Sequence, residues 1–356
     1  MTTFTAEAYQ NEYLPAGGGE VNAVVTVTAS GAAPAATSTQ AAEIIIIDVS
    51  GSMSAPRAKL KAATRATEVA IDCIRDGVMF GVIAGNETAR AVYPREGGLA
   101  PASPQTREDA KQAVARLKAT GGTAIGSWLA LANQLFAATP EAIRHAILLT
   151  DGQDEHETPE QLEAILADCE GSFQCDCRGV GTDWEVQELR RIATTLLGTV
   201  DIVAEPADLK DDFQAMIERA MGKSTGDVSL RLWTPQGTTV AFLKQVAPAI
   251  EDLTTRASAV DAMTGDYPTG AWGDESRDYH LCIHVQPRAV GEEMLAGRVS
   301  LMVDGEAISQ ALVRAIWTDD EQLSTRINRE VAHYTGQAEL ADAIQEGLEA
   351  RKQGDE

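Results

Sequence analysis

A carboxylate and two hydroxyls follow directly after a strongly apolar segment in the first part of the chain. The segment Glu43–Ile47 contains four consecutive isoleucines, and Asp48, Ser50 and Ser52 come next at alternate positions. A run of β-branched residues predicts a strand buried on both faces, as in the centre of a parallel sheet. In such sheets, ligands bind just beyond the carboxyl ends of the strands. One charged and two neutral oxygen donors at this place indicate a site for a hard cation such as Mg²⁺.

Two later segments carry further oxygen donors in a similar setting. Gly121-Gly122-Thr123 lies between two helical patterns, and the apolar strand Ile147–Thr150 ends in Asp151-Gly152. Together with the first motif they resemble the metal-ion-dependent adhesion site of the von Willebrand factor type A domain. That site reads Asp-x-Ser-x-Ser, followed by a distant Thr and a distant Asp. The matching residues of this chain are Asp48, Ser50, Ser52, Thr123 and Asp151.

The resemblance implies how such a site works. In this family, the serines matched by Ser50 and Ser52 bind the cation directly, and the threonine matched by Thr123 binds it directly or through water. The aspartates, here Asp48 and Asp151, often act through water or by hydrogen bonds to the serines. Neutral inner ligands leave the cation electrophilic, so that a carboxylate of a partner protein completes its coordination. The resemblance therefore implies Mg²⁺, with Mn²⁺ or Ca²⁺ as alternatives, and a protein partner that presents an Asp or Glu.

Each of these residues also has a simpler structural interpretation. Asp48 and Asp151 fit the turns that end strands, and Ser50 or Ser52 fits the cap of the helix that follows. The acidic loop at 154–157 is interpreted as solvated, with tuning of the cation or contact with a partner as the alternative. The metal-site interpretation is preferred because all the residues of the motif occur together, in the order and setting that the family shows.

Three of the histidines are not expected to form a metal site together. His145 precedes an apolar strand, and we expect it on the surface or in the core. His280 and His284 lie on one face of a predicted strand, about 13 Å apart at about 3.3 Å per residue, which is too far to share one ion.

Charge and cysteine content limit the class of partner and the compartment. The chain has 53 acidic and 29 basic residues and a net charge of -24, which argues against nucleic acid and anionic membranes as partners. We expect no signal peptide at Met1–Glu7 and no membrane span. The five cysteines are expected to be free thiols in the cytoplasm, and a pairing of Cys169 with Cys175 or Cys177 is the alternative. We expect a bacterial cytoplasmic protein.

The hydrophobic periodicity divides the chain into four parts. Residues 42–223 alternate strand and helix, which predicts an α/β domain with a doubly wound, mostly parallel, six-stranded sheet of Rossmann-like type. Residues 224–317 alternate at period two, which predicts an antiparallel β-sandwich of about seven strands. The N-terminal segment 1–41, irregular to about residue 20, is expected to contribute the strand 21–28 to the sandwich, so that the α/β domain is an insertion. Residues 318–356 predict a helical hairpin.

Local signals place several element ends. Thr158, followed by Pro159 and Gln161, predicts the capping box of a helix. Asp304-Gly305 predicts a tight hairpin turn. The segment 89–93 predicts a short antiparallel edge strand, and 106–118 a helix.

The motifs argue against several enzyme classes. Haloacid-dehalogenase-like phosphatases need a second Asp two residues after the first, where this chain has Ser50. Neither Gly51-Ser52-Met53 nor Gly126-Ser127-Trp128 completes the Gly-x-Ser-x-Gly motif of hydrolases, and no Gly-rich nucleotide loop with Lys is present. We therefore predict a non-catalytic, Mg²⁺-dependent protein–protein interaction module. The alternatives are a scaffold or regulatory subunit with a structural cation and, with less support, a Mg²⁺-dependent phosphohydrolase.

Overall fold

The α/β unit of the chain is inserted between two segments of another unit. The computed structural model describes residues 2–31, 41–54, 58–151, 156–180, 186–203, 207–326 and 328–334. The first unit comprises Met1–Ala32 and Asp227–Glu356, and the second comprises Ala33–Gly226. Among the described residues, no helix is both long and apolar enough to cross a membrane.

Up to the end of the second unit, three N-terminal strands are followed by a mixed series of strands and helices. The strands are β1 (Thr3–Gln10), β2 (Tyr13–Pro15), β3 (Glu20–Ser30), β4 (Ala41–Asp48), β5 (Met79–Gly85), β6 (Ala89–Tyr93), β7 (Ala100–Pro101), β8 (Ile143–Thr150), β9 (Gln174–Val180) and β10 (Val200–Val203). The helices are a 3₁₀ helix at Gly51–Ser54, α1 (Ala58–Cys73), α2 (Pro104–Val114), α3 (Ile125–Phe136), α4 (Pro159–Cys169), α5 (Val186–Thr195) and α6 (Leu209–Gly222).

The rest of the chain is mostly strand. Its strands are β11 (Val228–Trp233), β12 (Thr239–Ala247), β13 (Glu251–Asp252), β14 (Ser258–Asp261), β15 (Thr264–Pro268), β16 (Glu275–His284), β17 (Glu293–Val303) and β18 (Glu306–Thr318). Its helices are a 3₁₀ helix at Thr254–Arg256 and α7 (Glu321–Ser324).

The sheet of the inserted unit has the order β10-β9-β8-β4-β5-β6, and β7 also pairs with β5. The pairs from β10 to β5 are parallel, whereas β6 and β7 run antiparallel to β5. The predicted mostly parallel α/β sheet and its antiparallel strand at 89–93 are confirmed. The predicted strand number is wrong, because seven strands of this sheet lie among the described residues rather than six. The additional strand, β7, is only two residues long and leaves no hydrophobic pattern in the sequence.

The four isoleucines of β4 explain why helices cover both faces of this sheet. All four side chains are fully buried. Because side chains alternate along a strand, Ile45 and Ile47 face the core formed with α1, α2 and α6. Ile44 and Ile46 face the core formed with α3, α4 and α5. The central strand therefore has no solvent-exposed face. Its two polar side chains, Glu43 and Asp48, flank the four isoleucines.

Two helix starts use the same chemistry. The capping box predicted at Thr158 and Gln161 is present at the start of α4. A second capping box joins Ser103 and Thr106 around Pro104, so α2 begins before the predicted residue 106. Sequence reasoning missed this box because its third helical residue is Thr rather than the usual Glu or Gln.

The other unit contains two sheets. One has the order β1-β3-β16-β12-β13, and the other has the order β14-β15-β11-β17-β18-β2. Their strand pairs are antiparallel except for β18 with β2. The two sheets contain eleven described strands. Eight of them, β11–β18, lie in the part of the chain for which about seven were predicted, since β13 and β14 are segments of only two and four residues. The arrangement of these sheets as a sandwich stays a prediction.

The N-terminal segment contributes more strands than the single one predicted. It supplies β1 and β3 to one sheet and β2 to the other. The prediction of irregular structure up to residue 20 is wrong for 3–10 and 13–15. The sequence did not reveal β1 because its hydrophobic alternation is weak: the inward side carries Phe4 and then only Ala6 and Ala8.

The last predicted elements are partly described. Asp304 and Gly305 have φ values of 50° and 81° and join β17 to β18, as the predicted hairpin requires. Helix α7 ends at Ser324, and helical residues resume at 329–334, so the first predicted C-terminal helix is interrupted. The second predicted helix lies outside the described residues.

Candidate metal site

The two aspartates of the motif end neighbouring strands. Asp48 is the last residue of β4, and Asp151 directly follows β8. The two strands pair in parallel, with Ile47 opposite Leu149. Both side chains are fully buried, so the sheet brings them to the same carboxyl edge, although they are far apart in sequence.

A chain of hydroxyls connects the serine loop to the second aspartate. Ser50 Oγ lies 2.9 Å from Ser52 Oγ. Ser52 Oγ in turn donates a hydrogen bond of 2.6 Å to Asp151 Oδ1. The 3₁₀ helix Gly51–Ser54 supplies the tight backbone that turns these two hydroxyls toward each other. Neutral and charged oxygens thus lie within contact distance of one another.

Asp48 holds the loop in place. Its Oδ1 accepts a hydrogen bond of 2.7 Å from the Ser50 backbone N–H, and its Oδ2 accepts one of 2.5 Å from Thr150 Oγ1. Burial raises the pKa of the Asp48 carboxyl, and the hydrogen bonds from Ser50 and Thr150 act in the opposite direction. Because both oxygens are committed to protein donors, Asp48 acts here by positioning Ser50.

Thr123 is tied to this group by the backbone of its loop. The Gly51 N–H donates to the Gly121 carbonyl at 2.8 Å, and the Thr120 N–H donates to the Val49 carbonyl at 2.7 Å. The Thr123 side chain is only 4% exposed. Gly121 has a φ of 80°, a backbone conformation that favours glycine. The structure therefore joins four of the five predicted residues by hydrogen bonds and brings the fifth alongside them through main-chain bonds.

Lys59 belongs to the same group and was not predicted from the sequence. Its Nζ donates to Asp151 Oδ2 at 2.7 Å, and the two side chains are 9% and 0% exposed. Lys59 is the second residue of α1. A basic residue in the first turn of a helix opposes the helix dipole, and this is the one sequence signal that its charge is used elsewhere.

The acidic loop after Asp151 is not simply solvated. The Glu157 carboxylate accepts hydrogen bonds from the Gly126 N–H at 2.6 Å and from the Ser127 N–H at 2.9 Å. It therefore caps the N-terminus of α3, directly after the Thr123 loop. The His156 N–H donates to the Thr123 carbonyl at 3.1 Å. Asp154 and Glu155 lie outside the described residues.

The donor chemistry of this group fits a hard cation. Apart from the Lys59 ammonium, the side-chain groups described above end in hydroxyl or carboxylate oxygens, which are the ligands that Mg²⁺ and Ca²⁺ prefer. The hydroxyls of Ser50, Ser52 and Thr123 would be the ligands, and Asp151 would hold the Ser52 hydroxyl through its hydrogen bond. Lys59 offsets part of the negative charge.

His145 lies between its two expected settings, surface and core, with a side chain that is 12% exposed. Its Nδ1 lies 2.9 Å from Glu43 Oε1, and its Nε2 lies 3.3 Å from Asp176 Oδ2. Burial opposes a charge on the imidazole, but the Glu43 and Asp176 carboxylates outweigh it and raise the pKa of His145 to about 10. Glu43 lies near the amino end of β4, so this ionic cluster is separate from the candidate metal site at the carboxyl end.

Known proteins share both the family pattern and the fold. The family model of the von Willebrand factor type A domain matches residues 42–202. A von Willebrand factor type A structure from Catenulispora acidiphila is 53% identical, with a TM-score of 0.94 over 99% of this chain and 82% of that chain. The ArnB paralog VWA2 from Sulfolobus acidocaldarius shares the fold at 14% identity, with a TM-score of 0.62 over 98% and 85% of the two chains.

A curated relative is similar over a smaller part of its length. The uncharacterized protein sll0103 of Synechocystis is 27% identical over 278 residues, which are 75% of this chain and 62% of that protein. The chain therefore spans less than two thirds of that relative. The match to the Catenulispora acidiphila structure, by contrast, extends over most of both chains. Together with the inserted α/β unit and its family match, it shows that this protein belongs to the von Willebrand factor type A domain family.

Proposed function

We propose that this protein is a non-catalytic module that holds a protein partner through Mg²⁺ bound at Asp48, Ser50, Ser52, Thr123 and Asp151. The observation that carries this proposal is the continuous series of oxygens from Ser50 through Ser52 to Asp151. It lies at the carboxyl edge of a parallel sheet, where such folds bind ligands. Domains of this family often mediate metal-dependent protein interactions.

Some residues of the site would bind the cation, and others would hold the binding residues in position. Ser50, Ser52 and Thr123 would offer hydroxyl oxygens to the cation, and Asp151 would hold the Ser52 hydroxyl. Asp48 keeps Ser50 in place through its backbone N–H. When bound, Mg²⁺ supplies a positive centre that can exchange a water for a carboxylate oxygen of the partner. The mostly neutral ligands leave its charge largely uncompensated, which favours an Asp or Glu on the partner.

Lys59 supports this electrostatic arrangement. Its ammonium group already pairs with Asp151, so this carboxylate brings less net negative charge to the cation. A less neutralised cation attracts an external carboxylate more strongly. We further propose a cytoplasmic bacterial protein that is not an enzyme, in which the two sheets of the first unit form a sandwich and the α/β unit is an insertion in its sequence.

The Lys59–Asp151 ion pair also favours a second candidate function. A site whose charge is partly neutralised from within can keep its shape whether or not a partner carboxylate completes the coordination, as expected of a scaffold or regulatory subunit in which the cation is structural. A Mg²⁺-dependent phosphohydrolase has less support, because Ser50 stands where the general acid would be and lies against Ser52.

The experiment that tests the proposal combines direct cation binding with partner capture. Mg²⁺ binding is measured by isothermal titration calorimetry for the wild type, for Ser52→Ala with Thr123→Ala, and for Ser54→Ala as the matched control. Ser54 is exposed on the same 3₁₀ helix, and its hydroxyl donates to the Gly51 carbonyl rather than to the site. The same proteins are used as bait in a native lysate, with Mg²⁺ and with EDTA.

A partner retained by the wild type and by Ser54→Ala in Mg²⁺, and lost in EDTA and in the double variant, would support the interaction module. Mg²⁺ binding with identical partners in every lane would favour the structural cation. The absence of Mg²⁺ binding by the wild type would contradict the metal site itself. A phosphatase assay with Mg²⁺ on the same samples tests the third candidate.

A further inference from the structure

We infer that the five-stranded sheet of the first unit carries a second metal site, for Zn²⁺, formed by Glu20, Cys282 and His284. One ligand atom from each of these side chains lies within 4.8 Å of the other two. The donors are a carboxylate, a thiol and an imidazole. They belong to β3 and β16, and none of them takes part in the candidate Mg²⁺ site.

The strand register brings the donors together. β3 and β16 are antiparallel, with Glu20 directly opposite His284 and Asn22 directly opposite Cys282. Residues two apart on a strand face the same side, so all three donors project from one face of the sheet. The pairing continues beyond the strand ends, where the Val285 N–H donates to the Gly19 carbonyl at 2.8 Å. The backbone beneath the site is therefore fixed by the sheet rather than by a loop.

The combination of donors selects for zinc. Thiolate, imidazole and carboxylate are the three side-chain ligands that Zn²⁺ uses, in tetrahedral geometry. Mg²⁺ and Ca²⁺ prefer oxygen ligands and gain little from sulfur. Three protein ligands leave the fourth tetrahedral position to water. The site is therefore of the open kind, with room for an external ligand.

Cys282 places its sulfur at the shielded side of the site. Its side chain is only 3% exposed, and metal binding to a thiol releases its proton. The Glu20 and His284 side chains are 63% and 55% exposed, so the ion has an open path from solvent while the sulfur is shielded.

Asn22 orients the carboxylate of this site. Its Nδ2 donates to Glu20 Oε1 at 2.8 Å, while Glu20 Oε2 lies 3.9 Å from His284 Nε2. Its Oδ1 lies 3.0 Å from His280 Nε2. Outer residues that hold metal ligands in this way increase metal affinity. His280 thus supports the site through Asn22 and is not a ligand, in keeping with its distance along the strand from His284.

The test uses Co²⁺ as a spectroscopic substitute for Zn²⁺ in the full chain. The expected result is a thiolate-to-cobalt charge-transfer absorption with visible bands of tetrahedral intensity, which added Zn²⁺ abolishes. Cys282→Ser should remove the thiolate absorption. Cys73→Ser, which removes a half-buried thiol of the other unit, should leave it unchanged. No thiolate absorption in the wild type, or its persistence in Cys282→Ser, would overturn the proposal.

Two exposed variants keep the test independent of folding. His284→Ala and Glu20→Gln each remove one ligand at the surface and should weaken Zn²⁺ binding by at least about tenfold, as measured by competition with a chromophoric chelator. Unchanged affinity in both would contradict the ligand set. Ser52→Ala should retain the full cobalt spectrum, because the oxygen-only site contains no thiol. The outcome for this site is therefore separate from the outcome for the Mg²⁺ site.

Discussion

Lys59 Nζ lies 2.7 Å from Asp151 Oδ2, and neither side chain is more than 9% exposed. The other Asp151 oxygen accepts from Ser52, so the carboxylate joins a cationic group to the hydroxyls of the candidate metal site. Two charges at this separation interact strongly when water is excluded. The ion pair therefore stabilises the site without a cation, and it opposes a cation that approaches the same carboxylate.

Replacing Lys59 should change stability and metal affinity in opposite directions. In Lys59→Met, the buried Asp151 loses its counter-ion, and the free energy of unfolding in EDTA should fall by about 3 kcal/mol. Mg²⁺ should bind about tenfold more tightly, since a competing positive charge is removed. Urea unfolding in EDTA and calorimetric titration with Mg²⁺ measure the two effects. Lys61→Met, an exposed change on the same helix, is the control, and equal Mg²⁺ affinity in both variants would contradict the prediction.

Gly85→Ala should disturb the loop that carries Thr123, because Gly85 packs against the Trp128 side chain. A Cβ at Gly85 would lie 2.2 Å from the Trp128 ring. Trp128 Nε1 donates to the Asn86 carbonyl at 2.8 Å, and the Ala124 N–H donates to the same oxygen at 3.0 Å. We expect the free energy of unfolding to fall by about 1–3 kcal/mol through overpacking, and Mg²⁺ affinity to fall with it.

Thermal unfolding and Mg²⁺ titration of Gly85→Ala check this prediction. The matched control is Gly222→Ala at the end of α6, where an added Cβ meets nothing within 4 Å. The control should be neutral or slightly stabilising, because alanine favours helix. A melting temperature for Gly85→Ala equal to that of the wild type would show that the Trp128 contact relaxes without cost.

Glu157→Gln should weaken the start of α3. The carboxylate accepts from two N–H groups there, those of Gly126 and Ser127, and its charge favours a helix N-terminus. The expected loss is about 1 kcal/mol of unfolding free energy, measured by chemical denaturation. Glu96→Gln, an exposed loop change, should have no comparable effect, and if the two variants lost equal stability the capping role would be wrong.

The His145 cluster should make stability depend on alkaline pH. The folded-state pKa of His145 is raised from 6.5 to about 10, so the folded protein keeps a proton that the unfolded chain releases. This contribution is fully present below pH 6.5 and is lost as pH rises through about 10. The slope for one proton is at most about 1.4 kcal/mol per pH unit.

Urea unfolding of the wild type and His145→Gln between pH 6 and 10 measures this contribution. The difference in stability between the two proteins should shrink as pH rises, since the other titrating groups are common to both. The control is His333→Gln, a matched substitution at an exposed position. A constant difference for His145→Gln would mean that the imidazole is not charged in the folded protein.

The central sheet and the metal motif could be predicted because their signals are local. Four adjacent isoleucines require a strand with two buried faces, wherever that strand lies. The Asp-x-Ser-x-Ser spacing and the capping box at Thr158 likewise depend on residues a few positions apart. Short strands such as β7 and the small-residue strand β1 lack such a signal, because their pairing depends on neighbours distant in sequence.

The sequence by itself determined which side chains stand at the ends of the buried strands, and hence the oxygen chemistry of the candidate site. The tertiary structure alone decided which charges meet there. Lys59 reaches Asp151 because α1 packs beside the edge at which β4 and β8 end. Glu157 reaches the N-terminus of α3 because the loop after β8 passes that helix. Glu20 meets His284 because β3 pairs with a strand from the far end of the chain. Local propensity is set by neighbours along the chain, whereas strand order and register are set by how the buried faces pack.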